Sequence, residues 1–323
     1  MDRIARSWEM VVPPRATARA TALALLLSAL GWTRPVVGQS LPPDSLIEIV
    51  AYRIPLRFQV RGAAISDSGT VLYWSDSAAA VVAQNARAIE IVCPRLPRRP
   101  IAAAFVSDSS AVEIVDAGSG AVFRRDGDCR QIFPLRAAGG FVSAARTRIG
   151  WVLGVVAPSG AGSVVAVDTL GGALWSFSSQ AGPNETWDPR YTHLSAVAAG
   201  VAFSALRWPF QWLWLAADGS VVARADTASL GRALNGAEQW LGLPLVAVGN
   251  SLVQTIADPR SDQRRLVVYR RDGSLVRVVG LNTAMGLLAS SPNGRLAVAA
   301  RRTDVLEIVV YRWVGPSPET GGP

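Results

Sequence analysis

Apolar and polar positions alternate along this chain in short runs, and the runs come in pairs. Leu213-Trp214-Leu215 leads through Ala216-Ala217-Asp218-Gly219-Ser220 into Val221-Val222-Ala223-Arg224. The same design recurs at Val267-Val268-Tyr269-Arg270-Arg271-Asp272-Gly273-Ser274-Leu275-Val276-Arg277, and from Val122 through Asp126-Gly127 to Phe133. Short β-branched and aromatic runs bounded by Asp and Gly read as strands. The Asp-Gly between them suits the positive φ angles of a tight type I′ hairpin turn. A looser copy runs from Val164 through Asp168 to Trp175. From Asp126 to Asp168, Asp218 and Asp272 the steps are 42, 50 and 54 residues, so the unit repeats at the interval of a β-propeller blade.

Another pair of strands precedes each hairpin, which makes the unit four-stranded; its strands are lettered a to d from the axis outward. Blade 1 is expected at 63–67, 70–75, 79–84 and 88–93, and blade 2 at 101–107, 111–116, 121–125 and 129–135. Blades 3, 4 and 5 fall in 140–178, 192–226 and 243–279. The last unit offers only three strands, 285–290, 295–301 and 305–313, while Leu46 to Pro55 is a strand with no hairpin of its own. Supplying that strand to the last blade closes a ring and hides the sheet edges that invite aggregation. The expectation is therefore an all-β, six-bladed β-propeller of four-stranded blades, closed by its N-terminal strand. Residues 39 to 323, 285 in all, give 47.5 per blade. A pair of β-sandwiches is the alternative, against which the four-strand period runs on without a break at any midpoint.

Two motifs carry a resemblance. Ser291-Pro292-Asn293-Gly294-Arg295-Leu296-Ala297-Val298 resembles the Ser-Pro-Asp-Gly turn of TolB-type propeller repeats, and Ser66-Asp67-Ser68-Gly69-Thr70-Val71-Leu72-Tyr73 is a second copy. The hairpin from Tyr269 to Arg277 is similar to the c–d hairpin of NHL-like six-bladed propellers. Both imply the superfamily and no single family within it.

Three segments follow from composition. Arg15 and Arg19 precede an apolar run from Ala20 to Trp32, shorter than the roughly 20 residues needed to span a bilayer. Val36-Val37-Gly38 then fits a signal-peptidase site, so 1–38 is read as a signal peptide with cleavage after Gly38. A buried helix of the folded domain is the competing reading of that run. The propeller is expected at 39–313, without a membrane span once the signal is removed, and 314–323 is a Gly- and Pro-rich tail. Half the residues are hydrophobic and 17% are charged, an ordered composition. The net charge is +8, of which residues 1–38 hold +3. Every basic residue is Arg, spread along the strands instead of clustering on one helix or loop, and no aromatic and basic residues interleave as in RNA-binding modules, so nucleic acid is not expected as a partner.

Cys93 and Cys129 are the two cysteines. In an oxidising compartment, periplasmic or extracellular, such a pair reads as a disulfide. The expected register opposes this by setting one at the end of an outer strand and the other at the start of the next blade's. Bridging needs Cα atoms within about 7 Å, and the pairing stays open at this level.

The chemistry legible in the chain is sparse. His193 is the single histidine, which rules out a two-histidine metal cluster, and the predicted inner strands are rich in Ala, Val and Leu. Hard cations demand several oxygen ligands. No metal and no cofactor are implied. No Gly-x-Ser-x-Gly elbow is present to raise a serine nucleophile. The long d-to-a connections, 179–191 and 227–240, stand out as candidate binding loops on one face of the disc; the second has the pattern of a short helix over 230–240. The first holds Asn184, Trp187, Arg190 and Tyr191 as candidate binding residues, with Glu185, Asp188 and His193 as weaker acid-base candidates. Trp212 and Trp214 share a strand face and are expected to pack between blades. Two functions follow: an exported scaffold binding a protein, peptide or glycan through this face, or a hydrolase or lyase working at the channel mouth.

Overall fold

The computed structural model describes residues 45–54, 59–82, 90–94, 99–106, 111–136, 139–178, 189–197, 200–225, 227–234, 238–281, 283–302 and 304–314. They form six four-stranded antiparallel sheets arranged as a ring, a six-bladed β-propeller. Blade 1 is β2 (Gly62–Ile65), β3 (Val71–Trp74), β4 (Ala79–Val82) and β5 (Glu90–Val92). Blade 2 is β6 (Pro100–Phe105), β7 (Val112–Asp116), β8 (Ala121–Arg125) and β9 (Cys129–Pro134). Blade 3 is β10 (Gly140–Arg146), β11 (Gly150–Val156), β12 (Gly162–Asp168) and β13 (Ala173–Ser178). Blade 4 is β14 (Thr192–Val197), β15 (Gly200–Ala205), β16 (Trp212–Leu215) and β17 (Val221–Arg224). Blade 5 is β18 (Leu241–Val248), β19 (Ser251–Ala257), β20 (Arg264–Arg270) and β21 (Leu275–Leu281). Blade 6 takes β22 (Ala284–Ser290), β23 (Leu296–Arg302) and β24 (Leu306–Val314) from the C-terminal part of the chain. Its fourth strand is β1 (Ser45–Ile54), paired antiparallel with β24 from Ser45 opposite Val314 to Ile54 opposite Leu306.

The ring closes because each inner strand packs on the next, and β22 on β2. The seam carries an ion-pair cluster as well. Arg301 of β23 reaches Glu307 on β24 at 2.8 Å and Glu48 on β1 at 2.6 Å, so one guanidinium spans three strands.

Blades are buried on both faces, which explains why the b and c strands read as nearly continuous apolar runs. Leu72 packs toward blade 2, among Ile114 and Ala103. Its neighbours Val71 and Tyr73 face blade 6, against Val298 and Val310. The same period of two gives one hydrophobic cluster at every blade interface among the described residues. Between blades 4 and 5 that cluster contains Trp212 and Trp214 together, as their shared face implies, with Tyr269 edge-on to Trp212 at 5.3 Å.

The Asp-Gly hairpins differ from expectation in turn type. Gly273 donates to Arg270 O, Arg270 donates to Ser274 O, and the ladder shifts register between Val268 and Tyr269. Gly273 has φ 95°, while Asp272 keeps negative φ. This is a type I turn followed by a left-handed Gly bulge, and the turn at Asp218-Gly219 has the same build. The reason is the Asp: its Oδ1 accepts both the amide and the hydroxyl of the following Ser, at 2.8 and 2.7 Å for Asp272 and Ser274. The predicted helix is also displaced: α1 spans Thr227–Ala233, starting earlier than 230 and ending well before 240. Its neighbour Trp240 instead lies buried between blades 4 and 5, under the guanidinium of Arg265.

Cys93 and Cys129 are joined, with Cα atoms 5.5 Å apart. The opposite-ends argument fails because β5 is only three residues long and Cys93 follows it with φ 52°. A left-handed residue there turns the chain out of the strand toward β9.

Deleting residues 39–56 removes β1, exposes the β24 edge and strands Arg301 beside one carboxylate instead of two. The truncated chain should melt over a broader range and at least about 10 °C lower by differential scanning calorimetry, at roughly 2–4 °C per kcal/mol for a chain of this size.

Candidate functional site

Two cavities occupy the axis. One, of about 590 Å³, opens at the face of the disc that carries the d-to-a connections, among the residues that begin β2, β6 and β14, and runs along the inner strands as far as Arg146 and Ser290 at the ends of β10 and β22. The other, about 480 Å³, lies at the opposite face among the a–b turns. Arg146, at the end of β10, lines both.

The second cavity is where the two Ser-led turns, beginning at Ser66 and Ser291, fall. Ser66 Oγ accepts from Thr70 N, and Ser291 Oγ accepts from Leu296 N, each closing its turn with a Gly of positive φ. The two turns touch across the seam, where Asn293 N donates to Asp67 Oδ1 at 3.1 Å. These residues therefore fix the shape of one mouth and join blade 6 to blade 1.

The first cavity has a different lining. Its deeper wall is alanine-rich, with Ala63, Ala102, Ala103, Ala144 and Ala145 from three inner strands. At the mouth stand Arg61, Arg99 and Arg190, each just before or at the start of an inner strand or, for Arg190, in the 3-10 turn Pro189–Tyr191. Arg61 makes two parallel hydrogen bonds to Asp76, at 2.8 and 2.7 Å. Arg99 donates to the Phe141 carbonyl at 3.2 Å, and its own backbone amide donates to the fully buried Asp116. Trp74 lies across Gly62, where a Cβ would sit 2.2 Å from the indole; the missing side chain lets the ring lie on the channel wall.

Arg146 is held by a carboxylate the sequence reading passed over. Glu113, on β7, is 1% exposed and accepts four hydrogen bonds. One oxygen takes Nε and Nη2 of Arg124, the other takes Arg146 Nε and Trp151 Nε1, both at 2.8 Å. Arg146 Nη1 donates to the Thr147 and Gly150 carbonyls. A buried charge is tolerable when paired and hydrogen-bonded in this way, and here the network pins blade 2 to blade 3 beside the channel. The available signal was one Glu in the apolar run from Ala111 to Val115, which a fully buried strand has no other reason to carry.

His193 lies on the same channel wall, in β14. Its Nε2 meets the Gly242 carbonyl at 3.1 Å, which assigns the proton of the neutral ring to Nε2. Burial pushes its pKa below the ordinary imidazole value, and the carbonyl opposes that only partly. Arg190 and Tyr191 are exposed at the mouth; the Tyr191 ring has Arg190 on it at 5.7 Å and Arg207 at 5.8 Å. Asn184, Glu185, Trp187 and Asp188 lie outside the described residues. His193 therefore comes together with Arg190 and Tyr191, and no described carboxylate hydrogen-bonds to it. Among the described residues no group of three or more His, Cys, Asp or Glu side chains is placed to hold a metal ion.

No protein-family model matches the chain, and no curated protein matches it. Solved structures do. A chain from a crystal structure of a mitotic checkpoint complex aligns with a TM-score of 0.51 at 13% identity, over 91% of this chain and 98% of that one. A Dos1 propeller aligns at 0.43 and 12% identity, over 79% and 69%. A protein of unknown function from Bacteroides caccae aligns at 0.47 and 12%, over 71% and 84%. The likeness is one of fold alone.

Glu113→Ala should cost about 3–5 kcal/mol, because it leaves the Arg146 and Trp151 donors buried without their acceptor; chemical denaturation of parent and variant measures it. His193 gives a pH signature. Its folded pKa is depressed, so its contribution is whole above the unfolded value of about 6.5 and is lost as pH falls below it. Between about pH 7 and pH 5 the melting temperature of His193→Gln, which keeps a donor for Gly242 but does not titrate, should fall less than that of the parent.

Proposed function

We propose that this is an exported binding propeller: residues 1–38 direct it out of the cytoplasm, and the mature ring recognises a protein, peptide or glycan through the face carrying the d-to-a connections. The propeller fold is consistent with a binding or scaffold role. The observation that carries the reading is the coincidence, at one face, of a cavity of about 590 Å³ with the exposed Arg190 and Tyr191. Loops on a rigid scaffold are where specificity resides, and Tyr and Arg are among the residues enriched at energetic hot spots. A periplasmic or extracellular location is supported by the disulfide, which persists where thiols are oxidised. The Ser291 and Ser66 turns support a place near the TolB-like repeats, and the hairpin ending at Arg277 one near the NHL-like repeats.

Catalysis at the mouth would need a base with a partner. His193 commits Nε2 to the Gly242 carbonyl, so that nitrogen is not free to act as a base, which weighs for binding over hydrolysis or lysis.

The segment 179–193 should dominate recognition. With a partner captured from the exported fraction of the source cells, Trp187→Ala, Arg190→Ala and Tyr191→Ala should each weaken binding about thirtyfold or more, the effect of removing a 2 kcal/mol anchor. Arg270→Ala, at the exposed end of β20, should bind as the parent does. Surface plasmon resonance decides it, and unchanged affinity in all the loop variants would reject this face.

A further inference from the structure

Resting on the reading that this face binds a ligand, we infer that the 590 Å³ cavity takes the carboxylate-bearing end of a peptide segment. The sign and placement of its charges carry this. Four consecutive blades contribute one arginine each to the lining: Arg61 before β2, Arg99 before β6 and Arg190 before β14 at the mouth, and Arg146, the last residue of β10, at the far end of the cavity. Among the described lining residues the one acid is Asp76, and Arg61 already holds it. Glu113 lies behind the wall and is shared by Arg124 and Arg146. Arg99, with no described acid, and Arg146, which shares Glu113 with Arg124, leave the described lining positive without counting Arg190, and charges of one sign in a cleft with low-dielectric walls concentrate ions of the other.

Two guanidinium groups have capacity to spare. Arg99 makes its side-chain bond to a carbonyl and none to a described acid. Arg146 commits Nε and Nη1, and its Nη2 makes no hydrogen bond to a described residue, although the side chain is only 13% exposed and borders the cavity. Ser143 and Ser195, on the inner strands of blades 3 and 4, also border the cavity, and their buried hydroxyls have no partner among the described residues. An arginine fork with open donors matches a carboxylate.

The rest of the wall selects the body that carries the charge. Alanines of three inner strands and the Trp74 ring offer apolar surface, which suits alkyl side chains and a peptide backbone. A sugar acid would bury several hydroxyls against alanine without partners, at a cost for each. The volume is that of a small-ligand site, sufficient for a chain end and too small for a folded surface.

The test is calorimetric titration of the mature chain with acetyl-Ala-Glu-Leu-Glu bearing a free C-terminus, against the same peptide with both Glu replaced by Gln and its C-terminus amidated. The acidic peptide should bind at least about tenfold tighter, and its affinity should fall as salt rises. Arg99→Met, which keeps the alkyl stem, should lose about tenfold. Arg61→Met, at a half-exposed side chain, should also weaken binding because it uncovers Asp76. Glucuronic acid and inorganic phosphate should bind more weakly than the peptide. Equal binding of the two peptides, no binding of the acidic one, or parental affinity in both folded Arg variants would each overturn the inference. Equal binding of glucuronic acid would overturn the peptide assignment. None of these outcomes touches the loop variants, whose partner assay stands or fails independently.

Discussion

A ring of sheets must be closed, and everything else in this molecule depends on how it is done. Each blade is buried on both faces, so a blade without a neighbour would expose an entire apolar surface. The seam is closed by pairing the first described strand with the last, over nine residue pairs, and by one arginine shared between two glutamates across three strands. Backbone hydrogen bonds at the seam turn six marginal sheets into a structure in which no interface is free to open alone. The axial cavities exist because closure holds the inner strands at a fixed distance from the axis.

Polar groups then do what apolar packing cannot, which is to fix one blade in register against the next. Ser204 Oγ accepts the Leu245 amide from the following blade, and Thr255 Oγ1 accepts the Leu287 amide one blade further on. In both cases the donor is on an inner strand, next to a bulge that shifts the ladder. Glu113 performs the same service between blades 2 and 3 with charge instead of a hydroxyl. Its choice of Arg146 brings a second consequence, because the guanidinium it immobilises is also part of the channel wall. A structural ion pair thereby leaves a positioned donor on the channel wall.

The two mouths divide the work. One is built from short turns whose Ser and Asn side chains accept from their own backbone and whose Asp67 accepts from the neighbouring turn, so its shape is fixed. The other carries Arg99, whose guanidinium makes one described hydrogen bond, to a carbonyl, and has donors to spare.

The sequence by itself determined the repeat, the number of blades and the return of the N-terminal strand, because strand periodicity and Gly-marked turns are local properties that survive without neighbours. Blade 3 was bounded to the residue, and the pairing of Trp212 with Trp214 followed from the period of two. The turn type at Asp218 and Asp272 was misread, since the side-chain bond that selects a type I turn with a bulge depends on the serine two residues on. Tertiary structure alone decided the disulfide, whose feasibility rests on the shortness of β5 and the turn at Cys93, and the role of Glu113, whose partners Trp151 and Arg146 lie 38 and 33 residues away. The arginine wall belongs to the same class. Arg61, Arg99, Arg146 and Arg190 look like isolated charges in the chain, one per blade, and only closure of the ring points them at a common axis.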